Sequence, residues 1–324
     1  MSKAVYVTLS QFCEDDERPR KMLEEAGFDV RQNSLGRRMG AHELGNALRE
    51  TDAVIAAVEP YDANLLASLP RLRCISRCGV GTDTIDLEAA RRLNIAVLTT
   101  ADEVVEPLAQ MTVAMILALA RNLPQHYSEF RSGHWIKHTG FLISEWTIGL
   151  VGFGRIGRAV ERILQAFGPS VVVADPYIEP KEVPGHVRLT TLDELLKLAD
   201  VVSIHATRSA AEGPIIGRKE VALMKPKSRI VNTSRGHLLD ESALRDALQS
   251  GHVVGAALDV FPEEPYRGPL SGFPQVLGTP HVATLTRASR VAMERRSALN
   301  VIEFFNSVAS SLRDKCNEAI SGIR

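Results

Sequence analysis

The chain has 324 residues, which predicts two domains and leaves ample length for a large buried core. Hydrophobic residues make up 45% and charged residues 24%, and 38 Lys+Arg against 39 Asp+Glu leave a net charge of -1. That balance excludes a mainly disordered chain and argues against a dedicated nucleic-acid or anionic-membrane binder, which would carry a basic excess. Short apolar runs alternate with helical patterns along the length. Val5–Leu9, Ala53–Val58, Cys74–Ser76 and Ala96–Leu98 read as strands, with helices at Arg18–Ala26, His42–Glu50, Ala63–Ser68 and Leu87–Leu93. Glu103–Arg121 is apolar on most sides, the pattern of a buried helix, and Pro107 is tolerable in its first turn. The rhythm restarts with strands at Ile148–Val151, Val171–Ala174, Val201–His205, Ile230–Asn232 and Val254–Leu258. Its helices are Ile156–Phe167, Leu192–Leu198, Glu220–Leu223 and Glu241–Ser250, and Arg287–Phe305 closes the chain's pattern. Such alternation predicts an α/β fold of parallel sheets covered on both faces. No Pro/Gly/Ser-rich linker separates the two runs, so a compact boundary is expected near Thr99–Ala101.

The four cysteines, Cys13, Cys74, Cys78 and Cys316, are too few for a disulfide-stapled secreted domain. Cys74 and Cys78 have no His or Cys cluster to complete a four-ligand set, so buried thiols and no metal are expected. Met1–Val7 leads straight into a strand-like run without a signal-peptide pattern, and the longest apolar stretch, Met111–Ala120, is too short to span a bilayer. A cytoplasmic protein is therefore expected.

Thr147–Val151 leads into Gly152-Phe153-Gly154-Arg155-Ile156-Gly157, a helix, a second strand and then Asp175. A lone G-x-G-x-x-G is weak evidence, but here the whole βαβ unit surrounds it. Gly152 makes the tight turn, Gly154 lets backbone approach a pyrophosphate, and Gly157 permits close helix–strand packing. The phosphates would lie on the N–H groups at the helix start. Asp175 accepts hydrogen bonds from ribose hydroxyls and repels a 2′-phosphate, which favours NAD over NADP. Arg155 is the nearby cation that would accommodate such a phosphate.

The sequence resembles the D-isomer-specific 2-hydroxyacid dehydrogenases, a family that includes phosphoglycerate dehydrogenases and glyoxylate/hydroxypyruvate reductases. The resemblance covers about residues 50–305. It rests on Arg77-Cys78-Gly79-Val80-Gly81-Thr82-Asp83, the Gly152–Gly157 loop with Asp175-Pro176, and Asn232-Thr233-Ser234-Arg235-Gly236. Leu258-Asp259-Val260-Phe261 through Glu264-Pro265, and Thr279-Pro280-His281-Val282-Ala283, follow in the family's order. The resemblance implies two Rossmann-like or flavodoxin-like lobes with the dinucleotide lobe inserted into the substrate lobe and the active site in the cleft between them. The substrate domain would comprise residues 1–99 plus 287–324, and the NAD-binding domain residues 100–286.

The same resemblance maps catalytic roles onto Arg235, Glu264 and His281. Hydride transfer to a 2-oxo acid builds negative charge on the carbonyl oxygen, which a protonated imidazole neutralises; the reverse reaction needs the neutral ring as base. His281 would have that role, with Glu264 on its other nitrogen. Arg235 would offer a planar fork to the substrate carboxylate, joined by the N–H groups of Val80 and Gly81. The implied cofactor contacts are Gly152, Gly154, Arg155, Ile156, Gly157, Asp175, Thr233 and Asp259, the last on the nicotinamide side. Arg77, Arg37, Arg38 and Lys137 are candidates for a second cation if the substrate is phosphorylated, whereas Glu59 before the substrate loop would resist a doubly anionic one.

The family's usual Val-Ala-Glu triplet reads Leu108-Ala109-Gln110 here, and nothing after Phe305 resembles its regulatory domain, so feedback control through one is not expected. The partners expected are a small 2-oxo or 2-hydroxy acid, no nucleic acid or membrane, and a second copy through the helix at residues 103–121. Formate oxidation is disfavoured because formate enzymes pair the His with Gln, and phosphite oxidation because those enzymes carry Lys where this chain has Val80. A dinucleotide-sensing protein like the corepressors of the same fold is the alternative outside catalysis; the absence of long extensions argues against it.

Overall fold

A computed structural model describes residues 2–321, with side chains to residue 308; Cys316 lies outside the described side chains. The chain divides into two compact units, one formed by the residues up to Val104 together with those from Thr286 onward, the other by Val105–Leu285.

The first unit contains β1 (Lys3–Val7), α1 (Arg18–Glu25), β2 (Phe28–Gln32), α2 (Ala41–Leu48), β3 (Ala53–Ala56), α3 (Ala63–Ala67), β4 (Cys74–Arg77), α4 (Leu87–Arg92) and β5 (Ala96–Thr99). Its parallel sheet has the order β2-β1-β3-β4-β5. Every residue of β3 is buried, as a strand covered on both faces requires. β2 went unread in the sequence because Asp29 and Arg31 interrupt its apolar residues; it is an edge strand, where charged side chains face water.

The second unit opens with α5 (Val105–Ala120) and α6 (Leu123–Arg131). It continues through β6 (Thr147–Val151), α7 (Arg155–Leu164), β7 (Ser170–Ala174), β8 (Arg188–Leu189), α8 (Leu192–Leu198) and β9 (Val201–Ile204). It closes with α9 (Arg218–Leu223), β10 (Ser228–Asn232), α10 (Glu241–Ser250), β11 (Val253–Leu258) and β12 (Val276–Gly278). The seven parallel strands run β12-β11-β10-β9-β6-β7-β8, so the strand order reverses between β6 and β9, the place where sheets of this kind take ligands. α5 ends where Asn122 turns left-handed at φ +49°. The apolar breadth of α5 is accounted for inside its own unit: Ala109, Val113, Ile116 and Leu119 share a core with Ile148, Leu150 and Val160.

The last helix, α11 (Arg287–Ser321), returns to the first unit. There Ser76 Oγ donates to the Ser297 carbonyl at 3.0 Å, and Asn300 Nδ2 donates to the Thr99 carbonyl at 3.1 Å. It outruns the expected end at Phe305 because no Gly or Pro follows before Gly322. No helix among the described residues is long and apolar enough to cross a membrane.

Candidate active site

The glycine loop sits at the reversal point of the larger sheet. Gly152 has φ +94°, and a Cβ there would come within 2.7 Å of the Ala206 nitrogen and the His205 carbonyl carbon. A Cβ on Gly157 would meet the Gly152 oxygen at 2.5 Å, so both positions exclude any larger residue. Gly154 differs: nothing lies within 4 Å of where its Cβ would be, so its bare backbone faces open space. α7 starts at the next residue, and its internal bonding begins with Arg158 N–H to the Gly154 carbonyl at 3.0 Å. The N–H groups before it, those of Arg155, Ile156 and Gly157, have no acceptor inside the helix and mark its positive end. Asp175 caps the opposite side: its carboxylate accepts from Phe153 N–H at 2.8 Å and Tyr177 N–H at 2.9 Å. These features fit a dinucleotide, with open space at Gly154, the positive end of α7 and a held carboxylate after β7.

Three loops at the ends of β10, β11 and β12 carry Arg235, Glu264 and His281. His281 adopts the left-handed conformation, φ +54°, which costs a non-glycine residue energy and persists only where the surroundings impose it. Here its N–H donates to the Asp259 and Thr279 carbonyls at 2.9 and 3.0 Å. Its Nδ1 lies 2.9 Å from Glu264 Oε2, while Glu264 Oε1 accepts from Phe261 N–H at 3.0 Å. With Nδ1 turned to the carboxylate, Nε2 is the nitrogen left for proton transfer. The pair is half-exposed and borders a cleft of about 730 Å³ walled by Phe261, Tyr266 and Leu270.

Asp259 holds this turn. Its carboxylate accepts from Thr279 Oγ1 at 2.6 Å and from the N–H groups of Val282 and Ala283 at 2.8 Å each. It has no exposed surface, so the expected contact with the nicotinamide side is not open to it in this structure. Arg235 follows β10, and its loop is tied by Asn232 Nδ2 to the Arg235 carbonyl and Ser234 Oγ to the Ala206 carbonyl, both 2.8 Å. Gly236 is obligatory, since a Cβ would lie 2.0 Å from the Phe261 carbonyl carbon. Thr233 is buried with its hydroxyl 2.8 Å from that of Thr112 on α5, a partner no sequence motif announces.

His205, just after β9, is buried; Ser203 Oγ lies 2.8 Å from its Nε2, and its Nδ1 has no partner among the described residues. Burial pushes it down to about 4, so it is neutral at physiological pH.

Val80 and Gly81 lie in the first unit, in the loop after β4. Glu59 does not line an open surface: it is buried and accepts from Thr8 Oγ1 at 2.8 Å. Arg37 is paired with Glu43 at 2.7 Å, and Arg38 donates to the Val58 carbonyl at 2.5 Å. Lys137 is exposed. Gln110 is exposed too, and donates to Glu106 at 3.0 Å. Among the described residues no cluster of His, Cys, Asp and Glu is placed to hold a metal. Burial raises the Cys74 thiol to about 12 and the Cys78 thiol to about 11, which keeps both protonated.

Residues 113–283 match the family described as D-isomer specific 2-hydroxyacid dehydrogenase, NAD binding domain. A glyoxylate reductase of Thermococcus litoralis is 35% identical over 269 residues, spanning 79% of this chain and 81% of that protein. The chain belongs to the D-isomer specific 2-hydroxyacid dehydrogenase family. Its second unit contains the family's NAD-binding domain. The D-3-phosphoglycerate dehydrogenase of Methanocaldococcus jannaschii is 36% identical over 279 residues, 84% of this chain; the chain spans about half, 52%, of that relative's length. Among solved structures, a glyoxylate reductase from Paecilomyes thermophila superposes with a TM-score of 0.84 at 28% identity, covering 93% of this chain and 94% of its own.

Proposed function

We propose that this dehydrogenase-family chain interconverts a small D-2-hydroxy acid and its 2-oxo acid with NAD(H). The observation that carries the reading is the His281–Glu264 pair, 2.9 Å apart on a backbone forced into a strained turn beside an open cleft. The cofactor, when bound, supplies the hydride to the carbonyl carbon or accepts it in reverse. His281 then donates the Nε2 proton to the oxygen that gains charge, and in the reverse direction its neutral ring takes the proton from the alcohol. Glu264 orients the ring and stabilises its protonated form. Arg235 receives the substrate carboxylate as a two-pronged donor, and the N–H groups of Val80 and Gly81 serve the same anion. Gly152, Gly154, Arg155, Ile156 and Gly157 hold the pyrophosphate, Thr233 lines the nicotinamide end, and Asp175 takes the ribose hydroxyls. With its carboxylate engaged on three donors, Asp259 serves by holding His281 in place.

Asp175 favours NAD over NADP, as read from the sequence. Two further parts of the reading rest on single features. The homodimer is supported by exposed apolar side chains just beyond α5, Tyr127, Phe130, Trp135 and Leu142, of which Trp135 is 83% exposed. A cytoplasmic setting suits Cys13, Cys74 and Cys78, which carry no disulfide. A panel of unphosphorylated and phosphorylated 2-oxo acids, followed by NADH and NADPH oxidation, tests the whole. Turnover with NADH is expected; tight NADH binding with no turnover on any acid would favour a sensor instead.

A further inference from the structure

One side chain shapes the loop after β4. Arg77 ends that strand, and its guanidinium folds back over the residues that follow. Nε donates to the Gly81 carbonyl at 3.0 Å and Nη1 donates to the Cys78 carbonyl. Gly79 lies between these contacts at φ +139°, and a Cβ there would meet Arg77 Nη1 at 2.9 Å and Cζ at 3.0 Å. From the other side, Gly79 N–H donates to Thr100 Oγ1 at 2.8 Å, and the Gly79 carbonyl accepts from Thr100 N–H at 3.0 Å. Cys78 N–H donates to the Ala56 carbonyl at 2.9 Å, which ties the loop to β3. The loop is thus anchored on both flanks, while the N–H groups of Val80 and Gly81 find no acceptor among the described residues. Two consecutive N–H groups left open beside a guanidinium suit an anion.

We propose that Arg77 is a positioning residue for substrate. It holds the Val80 and Gly81 N–H groups in the arrangement that receives the substrate carboxylate, and it places its positive charge behind them without touching the substrate. The inference rests on the dehydrogenase reading above and adds to it a statement about specificity. Only the carboxylate is common to all 2-oxo acids, so Arg77 contributes the same factor to each of them. A guanidinium reaching a second anionic group would instead discriminate in favour of phosphorylated acids.

Arg77→Gln and Arg77→Lys, assayed with glyoxylate, hydroxypyruvate and a phosphorylated 2-oxo acid, separate these roles. Loss of the charge-assisted anchoring is expected to raise KM for every acid by about 10- to 100-fold, by a common factor, with kcat and the KM for NADH little changed. Arg77→Lys keeps the charge but cannot make both carbonyl bonds, so it restores only part of the loss; it also carries the test if Arg77→Gln folds poorly by thermal melting. Binding of oxamate to the NADH complex, measured by calorimetry, is expected to weaken by the same factor. A KM increase confined to the phosphorylated acid, or unchanged KM and oxamate affinity in both variants, overturns the proposal. Should the wild-type protein reduce no 2-oxo acid yet bind oxamate in an Arg77-dependent way, the dehydrogenase reading fails and the positioning role stands.

Discussion

In the seven-stranded unit the loop after β6 offers N–H groups because the ten-residue helix α7 begins there. In the five-stranded unit the loop after β4 offers the N–H groups of Val80 and Gly81 with no helix behind them, and Arg77 supplies both shape and charge. The first device is made by the backbone, with Gly152 and Gly157 excluded from change by other backbone atoms. The second depends on a side chain that can be removed by one substitution and can yield by rotating. Similar parallel sheets can therefore end in anion sites of different robustness, and the glycines report which is which.

Of the two loops, the larger effect is expected at Gly157. A Cβ there meets rigid backbone at 2.5 Å, so Gly157→Ala must open the turn between β6 and α7. NADH affinity should fall by more than about 100-fold, and stability by roughly 1–3 kcal/mol. Fluorescence titration with NADH, beside a thermal melt, checks both; unaltered affinity would show that the turn relaxes around the added methyl at no cost to the cofactor site. Gly79→Ala comes next. Its φ of +139° is strained for alanine and the new methyl displaces Arg77, so KM for the 2-oxo acid should rise about tenfold while NADH binding stays intact. A matching loss of NADH affinity would mean that the two loops are not independent devices.

Acid separates them further. A guanidinium stays charged throughout the accessible range, but the Gly152 turn is backed by His205, whose buried ring is pushed down to about 4. Above pH 6.5 the ring is neutral in both folded and unfolded chains and has no pH effect. Between pH 6.5 and 4 the unfolded chain binds the proton and the folded one does not, so stability is lost as pH falls, by up to about 3 kcal/mol. Urea denaturation from pH 7.5 to 4.5 should show this limb in the wild type and a shallower one in His205→Gln. Parallel curves would assign the acid sensitivity elsewhere.

Much of this architecture was legible because parallel strands buried on both faces are continuous apolar runs, as β3, β9 and β10 are. The edge strands β2 and β12, and the two-residue β8, escaped: they are short or interrupted by polar residues that an edge tolerates. In the site, the glycine loop and the Arg235, Glu264 and His281 segments stand out because each needs a specific residue type beside another. The roles of Arg77, Asp259 and Glu59 did not stand out. An arginine at a strand end reads as a ligand until its bonds to its own loop are seen, and the donors that close Asp259 lie 20 or more residues along the chain. Glu59 is turned inward by Thr8, 51 residues earlier.

His281 moves the proton in this scheme, while the loop after β6 binds the cofactor. The most direct measurement compares His281→Ala with the wild type in NADH titration and in steady-state reduction of the best 2-oxo acid. An unchanged NADH dissociation constant is expected, with kcat lowered by about 10²- to 10⁴-fold. A variant that keeps wild-type kcat contradicts this scheme.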